Sequence, residues 1–420
     1  MKINLPALAL VCFVSAAQAT EWHVLGPRPM GMGGAGVALP QGAQSAYWNP
    51  AALAIEDNPS GLQVPIGAHL AVTGPVLRGA KDLNQVASDC RSGGAGCTNA
   101  NISNALTELN NPNNGVRGDM GGGAGLKVGR LSVFVNDFAF VGAKPIIDMV
   151  HNNIAVGATN IQSNTSALQL RGINVTEIGA AYGHDLPFAP GLNAGIALKG
   201  MLGKVGYQSY GVVASDPGTA GLGNLMKNSR TSFQPGVDLG LLWDVNRSFE
   251  SAWFKPRLGL AGRNLNNPRF NNPDAARAAG LSSKYSIQGS ARLGLAITPL
   301  SFWNVAADAD LTKNLTAVEG VKQQTLALGT EINVFNRPWL NIPLRGGLSK
   351  NIAMSGSRTA LSAGFGLNFL HVNFDLGATV TPSRETVQTQ GKTKKLPNEI
   401  SVAGQFAVLF GGTGKEDAAR

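Results

Sequence analysis

The chain has 420 residues, of which only 14% are charged, and it carries 54 glycines and a formal net charge of +9. Its mean hydropathy is near zero, and after the N-terminal apolar run no stretch reaches the ~18 residues of a membrane helix. The 34 basic residues are dispersed, with no aromatic-basic stripe, which argues against a nucleic-acid partner and for a solvated or lipid-facing surface.

Residues 1–19 read as a secretory signal. Lys2 gives a positive start, 5–16 is apolar, and Ala17-Gln18-Ala19 is a small-x-small site with cleavage expected before Thr20. Residues 20–60 follow and form no alternating strand. Within them 30–53 read MGMGGAGVALPQGAQSAYWNPAAL, in which Gly31, Gly33, Gly34 and Gly36 lie around a formal G-x-G-x-x-G. A dinucleotide fingerprint follows a strand and opens a helix. Here the glycines precede every strand and sit behind an export signal, so no nucleotide cofactor is expected. Glycine permits positive φ and close backbone approach, and Asn49-Pro50 forces a turn. The segment reads as a compact unit made to pack against something.

Residues 61–410 alternate. Strands are expected near 61–73, 120–129, 131–142, 166–184, 191–206, 233–245, 256–266, 284–298, 302–313, 323–335, 339–350, 359–369, 371–381 and 398–410. In 303–312, for example, Trp303, Val305, Ala307, Ala309 and Leu311 share one face, opposite Asn304, Asp308, Asp310 and Thr312. Apolar-polar alternation over about ten residues is the length and pattern of a tilted membrane strand. Segments 131–142 and 166–184 change parity midway, and a bulge is the expected cause. Connections alternate short and long along the chain. The fold class is therefore all-β: a transmembrane antiparallel barrel of about 14 strands, both termini on the short-turn side. The 20–60 segment then becomes an N-terminal hatch plugging the lumen, and 411–420 a periplasmic tail. The outer membrane, its lipid and its lipopolysaccharide are the expected surroundings, with a single copy as the working unit.

In the first long loop, 74–119, Cys90 and Cys97 form an even pair in an exported chain, which points to a small disulfide loop. Residues 101–111 put Ile102, Leu106 and Leu109 on one helical face, available either for ligand capture or for the loop's own core.

If apolar faces meet lipid, the opposite faces line a lumen. Its expected charges include Asp238, Arg257, Arg263, Asp310 and Asp375. Hairpin register around Pro299-Leu300 sets Arg292 opposite Asp308, and around Arg337 sets Glu331 opposite Arg345, as cross-strand ion pairs. Two readings stand for these charges: a polar route, or the filling of a polar interior. The five histidines belong to no H-E-x-x-H, and no G-x-S-x-G or Walker sequence occurs. Neither catalytic residues, nor a metal site, nor any cofactor is expected.

The run Gly-Met-Gly-Gly-Ala-Gly-Val-Ala at 31–38, followed by Ser-Ala-Tyr-Trp-Asn-Pro-Ala-Ala-Leu at 45–53, resembles the N-terminus of the FadL/TodX outer-membrane transport superfamily. Residues 257–266 (RLGLAGRNLN) and 307–314 (ADADLTKN) are similar to its conjugal-transfer TraF-like relatives. The resemblance implies a fourteen-stranded barrel with a hatch that begins at this motif, and passive uptake of a small hydrophobic ligand, fatty-acid-like or aromatic. It implies capture among outer loops and release on movement of the hatch. The alternative is a non-transporting outer-membrane component of a conjugal transfer or envelope assembly. The many expected lumen charges suit either.

Overall fold

The computed structural model describes residues 18–152, 163–211, 222–249, 252–389 and 392–410. The expected signal falls outside these except at Gln18 and Ala19, and the expected tail at 411–420 lies wholly outside them. Fourteen strands close into one barrel. They are β1 (Ser60–Thr73), β2 (Gly115–Val128), β3 (Leu131–Ile146), β4 (Ala167–Asp185), β5 (Leu192–Gly211), β6 (Arg230–Asp244), β7 (Arg257–Arg263), β8 (Ser290–Leu300), β9 (Trp303–Asp310), β10 (Thr325–Arg337), β11 (Leu340–Asn351), β12 (Ala360–Phe369), β13 (Val372–Val380) and β14 (Glu399–Phe410). Each pairs antiparallel with the next, and β14 returns to β1 from Ser60↔Phe410 to Ala71↔Glu399. Closure leaves no unpaired sheet edge, which is what a strand protein in lipid requires.

The outward face is apolar. Ile66, Leu70, Met120, Val133, Ile178, Leu198, Leu328, Phe374 and Val402 are all exposed on it. Trp243, Trp339, Phe369 and Phe410 gather at the end with short turns, as an interfacial aromatic girdle does. Apart from 245–256, the longer connections leave from the other end.

The expected bulge in β3 and β4 is absent. Their pairing runs in one register from Leu131↔Tyr182 to Ile146↔Ala167. The parity change has another cause: Phe134, Phe138 and Phe140 point inward and are buried, while Asp137 points outward. The inner wall here is aromatic because it packs on protein rather than on water. Asp137 is met by Asn174 Nδ2 at 2.7 Å and Thr176 Oγ1 at 2.6 Å on the outer face of β4.

The outer end is capped by its own loops. Helices α3 (Val76–Ser92) and α4 (Asn99–Leu109) pair in the first loop, and Cys90 and Cys97 form a disulfide there. Ile102, Leu106 and Leu109 are buried, with Ile102 and Leu106 clustered on Val86, Leu83, Ile147 and Met149. The stripe is thus the core of the loop, and no free face remains on it for ligand capture. In the loop after β7, Phe270 is fully buried over Gly203, whose hydrogen leaves room for the ring. Residues 18–20 run parallel to Lys313–Leu315, so the N-terminal segment enters the lumen from the outer end, which corrects the expectation that both termini lie on the short-turn side.

Candidate functional site

The segment 21–58 fills the barrel, and nearly all of it is buried. It contains two short helices, α1 (Pro27–Gly31) and α2 (Ser45–Trp48), and a 3₁₀ turn at Pro50–Ala54. Its glycines work as close-contact points. Gly33 and Gly34 have φ of +70° and +94°, and a Cβ on Gly33 would stand 2.5 Å from the Leu348 carbonyl oxygen. The wall answers with its own glycines: a Cβ on Gly329 would lie 2.4 Å from Met32 Cβ, and one on Gly347 would lie 2.3 Å from Gly33 N. Gly31 approaches Gly364 and Gly36 approaches the Trp48 ring in the same way. Asn49 caps the 3₁₀ turn, accepting the Ala51 N–H at 3.1 Å, and its amide donates to Val37 O at 3.1 Å and Leu241 O at 3.0 Å. One side chain therefore ties the hatch to itself and to β6. Pro50, which needs no N–H partner at the first helical position, lies over Gly195.

Ion pairs bind this segment to the wall near both ends, and at mid-depth a cluster of wall charges meets it through Arg263. Near the outer end Arg117 meets Glu21 at 2.6 Å, and Asp119 sits between His23 and His69, 2.6 Å from each. At mid-depth Lys199 bridges Glu177 (3.1 Å) and Asp238 (2.8 Å), while Arg263 reaches Glu177 at 3.2 Å and lies 3.7 Å over the Tyr47 ring. Toward the short-turn end Glu331 holds both Arg28 and Arg345 at 2.7 Å, and Arg345 holds Asp375 at 2.6 Å. Glu331 and Arg345 face each other directly in the β10–β11 register. Arg257 is half-buried near the mouth, between Asp57 (2.9 Å) and Asp244 (3.3 Å).

Arg292 does not face Asp308. Its cross-strand neighbour is Asp310, at 2.6 Å, because the β8–β9 turn falls at 301–302, two residues later than the expected Pro299-Leu300, and the register shifts before Leu300. Asp308 instead lies opposite Gly294 and turns to the hatch, where its Oδ2 accepts the backbone N–H groups of Gly36 (2.8 Å) and Val37 (3.1 Å). Arg292 in turn donates to Gly34 O at 3.3 Å and lies over the Trp22 ring. Both predicted partners are therefore hatch anchors rather than a pair. Sequence reasoning missed Glu21, His23, Arg28, Arg117, Asp119, Glu177 and Lys199. The wall members carry a readable signal, since they sit on the inward parity of their strands; the hatch members carry none.

Cavities lie on both sides of the plug. On the outer side a space of about 80 Å³ is lined by Glu21, His69, Arg117, Asp119 and Glu399 among others. Between hatch and wall a void of about 30 Å³ sits among Trp22, Tyr47, Phe138, Phe140 and Val175. On the short-turn side a polar cavity of about 550 Å³ runs from Arg28 and Gln41 to Asn373, and opens into a mouth of about 1260 Å³ between the 53–60 segment and Phe410. The outer and inner cavities share no lining residue.

A family model described as "F plasmid transfer operon, TraF, protein" matches residues 46–310. No curated protein matches the chain. Among solved structures, the Ralstonia pickettii toluene transporter TbuX is 14% identical, with 92% of this chain and 98% of that one covered and a TM-score of 0.51. A TodX monoaromatic hydrocarbon channel mutant is 12% identical, with 93% and 100% covered and a TM-score of 0.53. The P. putida toluene transporter TodX is 12% identical, with 92% and 98% covered and a TM-score of 0.49. At these identities the likeness establishes the fold, an outer-membrane barrel.

Proposed function

We propose that this chain, which belongs to the family described as F plasmid transfer operon TraF protein, is a hatch-gated outer-membrane barrel for passive uptake of small hydrophobic compounds of aromatic size. The observation that carries the reading is the aromatic seam between plug and wall. Trp22, Tyr47 and Trp48 of the hatch cluster with Phe138, Phe140, Ile173 and Val175 of β3 and β4, and Trp22, Tyr47, Phe138, Phe140 and Val175 share the small void with Glu21, His23, Glu177 and Arg263. Elsewhere the plug meets the wall through ion pairs, backbone and small aliphatic clusters such as Met32, Ala35, Ala38 and Leu39 on Ala296, Ala306 and Ala327. An apolar ligand entering from the outer loops finds aromatic surface along this seam, and its contacts can replace those the hatch makes. The toluene transporter TbuX and the TodX monoaromatic hydrocarbon channel mutant, which share this fold, agree with the reading.

Uptake of labelled toluene into lipopolysaccharide-coated proteoliposomes tests the reading. Saturable uptake that falls in Phe138→Asp supports it. Uptake equal to that of protein-free liposomes overturns it. The second reading is a non-transporting barrel in an envelope or DNA-transfer assembly, and what favours it is the ionic anchoring of the hatch near both of its ends.

A further inference from the structure

The inner face of the short-turn end carries an uncharged feature that uptake of apolar compounds does not use. Asn336, Asn341, Asn368 and Asn373 stand on four successive strands, β10 to β13, and are direct cross-strand neighbours: Asn336↔Asn341, Asn341↔Asn368 and Asn368↔Asn373. A register shift between Asn333 and Phe335 brings Asn336 into the row. All four line both the 550 Å³ cavity and the wider mouth. Part of the row bonds to itself, Asn341 Nδ2 donating to Asn336 Oδ1 at 3.0 Å and Asn368 Nδ2 to Asn341 Oδ1 at 3.1 Å. The remainder is unspent: Asn368 Oδ1 and Asn373 Oδ1 are buried and accept no hydrogen bond from the protein. A buried amide oxygen without a donor costs free energy that a bound ligand's hydroxyl or N–H recovers.

We propose that this row is a binding site for a neutral oligosaccharide at the periplasmic mouth. Each carboxamide offers both donor and acceptor, which suits vicinal hydroxyls, and the row itself has no charge to attract an ion. Of the charges that share the 550 Å³ cavity with the row, Arg345 and Asp375 are already paired at 2.6 Å, while Arg337 lines the wider mouth. The amides recur once per strand, about 4.8 Å apart, whereas same-face groups of an extended peptide recur about every 6.7 Å. A pyranose ring is close to the strand spacing in length. Beside the row, Leu370 and Leu409 also line the mouth and give it an apolar flank for the flat faces of sugar rings. The site is separate from the aromatic seam and does not depend on what, if anything, crosses the barrel.

The test is calorimetric titration of the full chain in detergent with an N-acetylglucosamine tetrasaccharide, with maltotetraose, and with an uncharged alanine-glycine pentapeptide. Saturable binding of a saccharide that weakens at least tenfold in Asn368→Ala/Asn373→Ala, with the peptide weaker, supports the site. No saturable saccharide binding, equal binding by the double variant, or tighter binding of the peptide overturns it. If the double variant fails to fold, the single Asn373→Ala variant and saturation-transfer NMR from the wild-type protein to the saccharide give the same two outcomes. Loss of toluene uptake with saccharide binding intact would sink the transport reading alone.

Discussion

Asp308→Ala should unseat the hatch locally. The Asp308 carboxylate is buried and accepts two backbone N–H groups, from Gly36 and Val37, that have no other place to go. A hydrogen bond to a charged group contributes about 1.5–3 kcal/mol, so the pair sums to roughly 3–6 kcal/mol. Alanine leaves a space next to Gly294 that water can enter, which returns part of that sum and leaves a net loss of about 2–4 kcal/mol. At about 1.4 kcal/mol per tenfold, the unseated population rises roughly 30- to 900-fold. Amide hydrogen exchange reads this directly, because protection at Gly36 and Val37 falls by the same factor when opening is local. Planar-bilayer conductance of the same variant should show openings that the wild type lacks. Asp308→Asn keeps an oxygen but no charge and should lose about half as much free energy. Unchanged exchange at Gly36 and Val37 in Asp308→Ala would refute the reasoning, since it would mean those N–H groups are held by something other than the carboxylate.

Gly329→Val places carbon where Met32 already lies, 2.4 Å from an ideal Cβ; an overpacking cost of about 1–3 kcal/mol is expected, and it should appear as raised conductance with the barrel still folded. Asp148, in the loop after β3, accepts the Thr165 backbone N–H at 3.0 Å and the His151 ring at 2.8 Å. These contacts, the Thr165 N–H foremost, hold its carboxyl well below the usual carboxylate range. A depressed folded value means its contribution is complete above the ordinary carboxylate pKa and is lost as pH falls through the depressed one. Protease resistance of the loop should therefore persist from pH 8 to pH ~4 and fail only in stronger acid, whereas Asp148→Asn should be cleaved at neutral pH. Removing the disulfide by Cys90→Ser/Cys97→Ser should raise cleavage between α3 and α4, with a local loss of about 2–3 kcal/mol. The thermal unfolding of the barrel should stay unchanged, because the core of α3 and α4 is shared with residues of the outer loops, Ile147 and Met149, rather than with the barrel wall.

The wall was legible because its physics is local. A strand with one face in lipid and one inward must alternate, and the alternation at 303–312 or 371–380 is visible without knowing any partner. Glu331 and Arg345 meet across β10 and β11 for the same reason, since a short turn fixes a register that can be counted. Counting failed at β8–β9, where Pro299 looks like the turn but belongs to an irregular strand end. A turn misplaced by two residues moved the partner of Arg292 from Asp310 to Asp308, on the same face, and hid what Asp308 does. The aromatic inner face of β3 misled in another way. Phe138 and Phe140 read as lipid-facing by residue type, whereas their neighbours are Tyr47 and His23 of the plug.

The plug's contacts had no such local signature. Arg28 and Glu331 are 303 positions apart, and Gly36 and Asp308 are 272 apart, so neither spacing nor period links them. Only composition hinted at the arrangement: a low-charge chain that nevertheless sets Asp238, Arg263, Arg292, Asp308, Glu331, Arg345 and Asp375 on inward strand positions must neutralise them somewhere dry. A water-filled pore would leave those groups solvated and free to vary. Here Asp308 bonds hatch backbone, Arg292 lies over Trp22, Arg263 lies over Tyr47 and Glu331 holds Arg28. The inward charges of the wall are therefore a seat shaped to one segment of the same chain. Buried pairs of this kind are a weak source of net stability but a strict demand on geometry. That favours a hatch with one closed position, in which the apolar plug contacts, being non-directional, are those that movement disturbs at least cost.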